Sequence, residues 1–312
     1  MGEERKHSSS RRDPANPSYY NIATNEGRHL MDPTTPQSGM LYLAATPIGN
    51  LEDITLRVLR VLEEADVIYC EDTRNSLKLL RHFEISKPLA SYHDHSPESR
   101  ALHIAEQVRH GKQVVLISDA GMPVISDPGF DLVNVFRREG LPYTVLPGAS
   151  ASLSALVLSG IASDRFIFEG FLPRKKKDLD ARLSLLDSQT ATAIIYESPH
   201  RLNATLDAFA KRWPARECAA VREISKRFEE VVRGTTSDVR DHFLANEPRG
   251  EFVLVLAGAD PDALSDNSLE HALELARALV RDGASTNQAA KEAAARCGLS
   301  KRTIYQALLE DQ

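Results

Sequence analysis

The sequence predicts an α/β fold in two units, followed by a smaller helical unit. Three observations predict it. From residue 40 to about 160, short apolar runs alternate with stretches of helical periodicity, the pattern of a parallel sheet covered by helices. From 166 to 257 apolar runs recur with different punctuation, as in a mixed sheet. From 269 onward the periodicity is helical throughout and glycines mark the turns.

The elements follow in order. Residues 1–38 hold serines, arginines and prolines with no apolar core segment, so the expectation there is a disordered tail and not a signal peptide. MLYLAA at 40–45 is the first strand, broken by Thr46-Pro47-Ile48-Gly49-Asn50. Asp53 is placed to cap a helix carrying Ile54, Val58, Val61, Leu62 and Ala65. Residues 66–70 form a second strand that ends in Glu71-Asp72-Thr73-Arg74. A helix is expected near 98–109, closed by Gly111, and QVVLI at 113–117 is a third strand. It runs without polar alternation, as a strand buried on both faces does. The loop SDAGMPVISDPG at 118–129 follows, then a helix near 130–138 and a strand at 143–146 leading into PGASA. In the second unit, strands are expected at 166–168, 193–196, 218–221 and 252–257, with a helix from Arg201 to Arg212. These elements divide the chain into 39–155, 156–260 and 265–312, with a polar linker at 259–268.

In the third unit Asn267 and Glu270 have N-cap and N3 spacing, and Ser285 with Gln288 has the spacing of a capping box. Ala289, Ala290, Ala293 and Ala294 allow close helix approach. Gly283 and Gly298 end helices, and Ser300 caps a third through Ile304 and Leu308. This pattern fits a helix-turn-helix, and it also fits a helical hairpin with only a packing role.

Composition bounds the chemistry. The 312 residues are 42% apolar and 26% charged, enough for a sizeable core, and the net charge is −6, so contact with nucleic acid has to come from local basic patches. Three cysteines, Cys70, Cys218 and Cys297, have no metal-ligand spacing and read as free thiols of a reducing compartment. No apolar run is long enough to span a bilayer, and a cytoplasmic protein without a metal is expected.

The loops at 46–50, 118–129 and 147–151 fall at strand C-termini and outline one crevice. Their glycines permit close backbone approach and their prolines fix shape. Neither GxGxxG nor GxxxxGK[ST] is present, which excludes the ordinary dinucleotide and phosphate-loop readings.

The ordered set LAATPIGNLEDIT, EDTR, SDAGMPVISDPG, PGASA, FEGFLPRK, YESPHR and REISK resembles the tetrapyrrole methylase superfamily, and within it the branch that modifies ribosomal RNA. The resemblance covers about 40–258 and extends to the helical tail. It implies two α/β domains with S-adenosylmethionine in the cleft between them, a C-terminal helical domain and a homodimer. It also implies methylation of the 2′-oxygen of a cytidine in the decoding region of 16S rRNA, in the small ribosomal subunit. By position it implies cofactor contacts from Pro47, from Asp119, Ala120, Gly121 and Val124, from Ser150 and Ala151, from Tyr196, Glu197 and Ser225, and from Ala257. The first loop has fewer glycines than in many relatives, which argues against a porphyrin substrate.

A ribose hydroxyl is a poor nucleophile, so a nearby base or cation should assist. Asp72, His200 and Lys226 are the candidates, each with a plainer alternative: a helix cap, a backbone hydrogen bond and a solvated face. Glu71 with Arg74 reads as an ion pair. Arg174, Lys175, Lys176 and Lys177 suit a phosphate backbone, with Arg201 a further contact, although a solvated loop would look the same. Two other functions stay open: a small-molecule corrin or porphyrin methylase, and a helix-turn-helix regulator without enzymatic activity.

Overall fold

A computed structural model describes residues 39–93, 96–260, 269–297 and 299–310. The expected tail at 1–38, most of the 259–268 linker, the Asn267 cap and Gly298 lie outside the described residues.

The first sheet holds β1 (Met40–Ala44), β2 (Val67–Cys70), β3 (Leu89–Ser91), β4 (Gln113–Ile117) and β5 (Tyr143–Leu146) in the order β3-β2-β4-β1-β5. Every pairing is parallel. The chain moves outward from β1 to β3, then returns to insert β4 beside β1. The strand order therefore reverses at β1/β4, and the crevice beyond the C-terminal ends of these strands is where such sheets bind ligands. α1 (Leu56–Glu64), α2 (Thr73–His82), α3 (Glu98–Arg109) and α4 (Phe130–Arg138) cover the faces. α1 begins later than Asp53 suggests: Asn50 caps a short 3-10 turn at 51–53, and Thr55 Oγ1 accepts from the Val58 amide as the N-cap of α1.

The second sheet holds β6 (Phe166–Phe171), β7 (Thr192–Glu197), β8 (Glu217–Arg222), β9 (Glu230–Thr235) and β10 (Phe252–Leu256) in the order β6-β7-β10-β8-β9. Only β6 and β7 are parallel; β10 runs antiparallel to both β7 and β8. Phe252 pairs with Glu197 on one side and Arg222 on the other, so the end of β7, the end of β8 and the start of β10 share one edge. Its helices are α5 (Ala151–Ser159), α6 (Lys176–Leu186), α7 (Pro199–Arg212) and α8 (Thr236–Ala245). α7 starts two residues before Arg201, with Pro199 in its first turn.

α5 belongs to this second layer. Ala155 and Leu156 pack with Ile194, Ala219, Val221 and Val255. A division at 155/156 would cut that helix, and the packing moves the division into the turn after β5. The third unit is α9 (Leu269–Arg281), α10 (Thr286–Cys297) and α11 (Lys301–Glu310) around a core of Ala272, Ala276, Ala289, Ala290, Ala293 and Ile304. Ser285 Oγ accepts from the Gln288 amide at 3.3 Å, the capping contact its spacing predicts. All three cysteines are free and buried.

Candidate functional site

Two adjoining cavities open between the sheets. The first, about 350 Å³, is walled by Ala120–Met122 and 125–127 from the loop after β4, by Ser150 and Ala151 at the start of α5, and by Phe171, Tyr196, Glu197, Ile224, Phe252 and Val253 from the second sheet. The second, about 360 Å³, lies over the β1/β4 switch point and is lined by Thr46, Pro47, Asn75, Ser76, Lys78, Ser118 and Asp119. Ile48, Ala120, Lys226 and Glu251 line both and form the seam between them.

The loops are held in place from within. Thr46 and Gly121 exchange two backbone hydrogen bonds of 2.9 and 3.0 Å, and Ser118 Oγ donates to the Gly121 carbonyl at 2.8 Å. Four non-glycine residues in the wall or in the segments that carry it lie in the left-handed region: Ser126 (φ 61°) lines the first cavity, and Val124 (φ 75°), Glu223 (φ 51°) and Ser225 (φ 67°) stand beside lining residues in the chain. Each such residue costs of order 1–3 kcal/mol, most for a β-branched side chain like that of Val124, and such strain gathers where a site over-determines its backbone.

The first cavity combines apolar and polar lining. Ile48, Met122, Ile125, Ile224, Phe252 and Val253 supply apolar side chains. Ser150 leaves the first amides of α5 without a side-chain cap, its hydroxyl being engaged with Ser152, so the helix terminus is open to a carboxylate. The Asp127 carboxylate nearby suits an ammonium group. Burial, against a Ser152 hydrogen bond, pushes the Tyr196 phenol up, so it stays protonated.

An ion triad occupies the seam. Lys226 Nζ donates to Glu223 Oε1 and Glu251 Oε2, each at 2.9 Å. Burial pulls the ammonium pKa down, but the two carboxylate hydrogen bonds outweigh it and the net shift is upward. Two glycines make room for the triad. A Cβ on Gly49 would lie 2.3 Å from Lys226 Cγ, and one on Gly250 would lie 2.6 Å from Glu223 Cγ. Ser225 Oγ hydrogen-bonds to the Asp53 carboxylate, which ties the 223–229 turn to the first unit.

Most of the expected cofactor residues come together. Pro47 and Asp119 line the second cavity, Ala120 both, and Gly121, Ser150, Ala151, Tyr196 and Glu197 the first. Glu197 is buried and committed to the fold: Thr205 Oγ1 and the Ser198 amide donate to it at 2.6 and 2.9 Å. Val124 and Ser225 line neither cavity and act through loop shape; Val124 packs against the first core. Ala257 lines neither cavity. It follows the far end of β10, where its carbonyl accepts from Arg216 at 2.6 Å, and the β10 residues at the site are Phe252 and Val253 with Glu251 just before them.

The catalytic candidates separate. Asp72 caps α2 and binds Arg74 at 2.7 Å; the Arg74 side chain, then the helix amide, hold its carboxyl at about 2, too acidic for a base at neutral pH. Arg74 thus pairs with Asp72 where the sequence suggested Glu71. His200 is exposed and lines neither cavity. Lys226 is at the site, but as a cation that keeps its proton. Among the basic residues, Lys176 and Lys177 open α6 and do not lie in a loop; all four at 174–177 are exposed and Lys176 pairs with Asp180. Arg201 is spent on structure, donating to the Leu172 and Pro173 carbonyls at 3.0 and 3.3 Å. Sequence reasoning missed Ile48, Asn75, Phe171, Ile224 and Glu251. Ile48, Phe171 and Ile224 lie inside the LAATPIGNLEDIT, FEGFLPRK and REISK motifs and Asn75 directly follows EDTR; only Glu251 lies away from every marked segment.

Among the described residues no group of His, Cys, Asp and Glu could hold a metal, and no helix is long and apolar enough to cross a membrane.

Comparison with known proteins agrees with this geometry. A family model described as tetrapyrrole (corrin/porphyrin) methylases matches residues 40–240, and one described as the RsmI C-terminal HTH domain matches 266–312. Proteins named ribosomal RNA small subunit methyltransferase I are similar to this chain. The one from Synechocystis is 42% identical across 87% of this chain and 98% of its own length. The one from Bacillus subtilis is 42% identical across 86% and 94%. The one from Thermotoga maritima is 43% identical across 71% of this chain and 100% of its own length. Among solved structures, a diphthine synthase (TM-score 0.54, 16% identity, 70% of this chain and 90% of that one) and the methyltransferase CobJ (TM-score 0.54, 19% identity, 71% and 95%) share the fold.

Proposed function

The chain belongs to the tetrapyrrole (corrin/porphyrin) methylase family, and from that premise we propose that it transfers a methyl group from S-adenosylmethionine to the ribose 2′-oxygen of a cytidine in 16S rRNA. It is a methyltransferase, as its relatives' names state. The observation that carries the reading is the mixed lining of the first cavity. Its apolar side chains suit the adenine ring, the open terminus of α5 suits the methionyl carboxylate, and the Asp127 carboxylate suits the ammonium group. The seam triad of one cation and two carboxylates carries net charge −1, which favours a sulfonium beside it. The donor supplies an activated methyl group. The protein's own task is alignment of the three reacting atoms, which can lower a barrier by roughly 7–11 kcal/mol.

An RNA acceptor is favoured over a tetrapyrrole by the exposed cations at 174–177 and by the helical unit. The same residues speak against a regulator without catalysis, because the helical unit is attached to a complete donor site. The protein acts on the small ribosomal subunit in the cytoplasm. It pairs with a second copy through the apolar side chains left exposed on three successive elements: Tyr143 and Val145 of β5, Leu153 and Val157 of α5, and Phe166 and Phe168 of β6. Incubation of purified protein with labelled S-adenosylmethionine and small subunits, followed by mapping of ribose methylation, tests the function. A label confined to one cytidine ribose supports it; label on a base or no transfer refutes it. Sedimentation of the wild type against Val157→Lys tests the pairing.

A further inference from the structure

The second cavity shares only Ile48, Ala120, Lys226 and Glu251 with the first. Both have much apolar surface, and the second adds the polar side chains of Thr46, Asn75, Ser76, Ser118 and Asp119, with Lys78 at the α2 side. Ser76 is buried to 4% exposure, with its hydroxyl against the Cys70 thiol. The cavity joins the first only along the seam of Ile48, Ala120, Lys226 and Glu251. Any group passed from one to the other passes these four residues.

Glu251 is the one acid among these four residues. Its backbone is fixed by two hydrogen bonds of 3.0 Å: its amide donates to Glu223 Oε1, and its carbonyl accepts from the Glu223 amide. Lys226 engages its Oε2, while Oε1 has no hydrogen-bond partner among the described residues. The side chain is 80% exposed. It is thus a positioned carboxylate with one free oxygen at the junction of the two cavities.

We propose that the second cavity receives the acceptor nucleoside and that Glu251 takes the proton from its ribose hydroxyl. The inference rests on the methyltransferase reading above. In the step, a lone pair of the hydroxyl oxygen forms the new bond to the methyl carbon. The carbon–sulfur bond breaks, and its electron pair returns to sulfur to leave a neutral thioether. The hydroxyl proton passes to Glu251 Oε1 and from there to water. As the oxygen–carbon bond forms, the hydroxyl becomes an acidic oxonium, whose proton a carboxylate takes readily. Loss of the sulfonium charge also ends its attraction to the triad, which favours product release. In the acceptor chamber, Asp119 Oδ2 already accepts from the Asn75 amide at 3.0 Å, so donor and acceptor stand side by side for a polar base edge. Lys78 is the cation available to its phosphate.

The test is single-turnover methyl transfer to small subunits by full-length Glu251→Gln, Glu251→Asp and Glu251→Ala, with S-adenosylmethionine affinity measured by calorimetry on each. Removing a general base lowers a rate by about 10²- to 10⁴-fold. The expected result is a drop of at least about 100-fold for Glu251→Gln at saturating donor, beyond any fall in donor affinity that loss of the triad's negative charge brings. Glu251→Asp should recover part of the rate, and added formate should restore part of it in Glu251→Ala. A Glu251→Gln rate within about threefold of wild type at saturating donor overturns the proposal. In that case the wild-type rate still stands for the enzyme itself. A wild type that binds the donor and methylates no RNA would sink the functional reading, and this proposal with it.

Discussion

Gly49→Ala is the sharpest probe of the seam. Gly49 lies in the loop after β1, and Lys226 comes from the turn after β8 in the other unit. An added Cβ would meet Lys226 Cγ at 2.3 Å, Cε at 3.0 Å and Cδ at 3.1 Å. Ordinary contact needs more than 3.4 Å, so the stem must move by about 1 Å close to its root, where it cannot simply swing aside. Overpacking of that kind costs about 1–3 kcal/mol. Moving the stem also pulls Nζ from Glu223 and Glu251, each now at 2.9 Å. Displacement by about 1 Å at a reacting centre can lower turnover about 100-fold. The expected outcome is therefore a melting temperature a few degrees lower, by roughly 2–4 °C per kcal/mol in a chain of this size, with a much larger fall in methyl transfer. Thermal unfolding and single-turnover transfer read the two effects separately. A variant with wild-type turnover would refute the argument that the Lys226 stem must cross this glycine for the site to work.

Other outcomes follow from the same geometry. Neutralising Arg174, Lys175, Lys176 and Lys177 should weaken RNA binding and flatten its salt dependence by up to about three in log–log slope, at about 0.7–0.9 per phosphate contact, with donor affinity unchanged; filter binding across a salt series measures it. Gly121→Ala should weaken donor binding, because φ is +83° there and the new Cβ would press on Ile48 Cγ2 at 3.2 Å; calorimetry would expose the idea as wrong if affinity held. Arg216→Met should cost about 2–4 kcal/mol by orphaning the Leu186, Gln189 and Ala257 carbonyls, while leaving donor affinity alone, because this end of β10 is remote from the cavities. Asp72 gives a pH signature. Its folded pKa of about 2 lies below the ordinary 3.8, so its Arg74 contact favours folding fully above the ordinary value and is lost as pH falls through about 2. Carboxyl titration by NMR should find that midpoint, and Asp72→Asn should leave the pH profile of transfer near neutrality unchanged.

The parallel layer was legible because its strands are continuous apolar runs bounded by glycine and proline, and because the 46–50, 118–129 and 147–151 loops fall at strand ends. What escaped has local causes. β3 is three residues long and β9 reads EVVRGT, so neither makes a run that stands out; both are strands because a neighbour is there to pair with. α6 was hidden by cations at its first turn, where the helix dipole disfavours them, although Leu179, Leu183 and Leu186 keep a helical stripe. Motif position misled at both ends of β10. Ala257 follows that strand and belongs to the Arg216 knot, whereas the antiparallel register brings Glu251 and Phe252 to the site beside Glu197 and Arg222. No periodicity distinguishes the two ends of a strand; only pairing direction does.

That register also underlies the proposal of Glu251 as the base in place of Asp72, His200 and Lys226. A sequence motif marks residues near a site, and it does not say which of them the fold has already spent. The Asp72 carboxyl is spent on α2 and Arg74, Arg201 on two carbonyls, and Glu197 on Thr205 and Ser198. Each is polar, lies in a marked motif and has its hydrogen-bonding capacity absorbed by its own unit. Glu251 lies outside the motifs, yet its unit holds it by backbone and by one oxygen only. The group with capacity left over, at the seam where both units meet, is the one placed to act on a third molecule. Mutating the spent residues should therefore lower stability before chemistry, and mutating Glu251 should lower chemistry with stability nearly intact, an ordering that unfolding and turnover measurements on the same set of variants would expose.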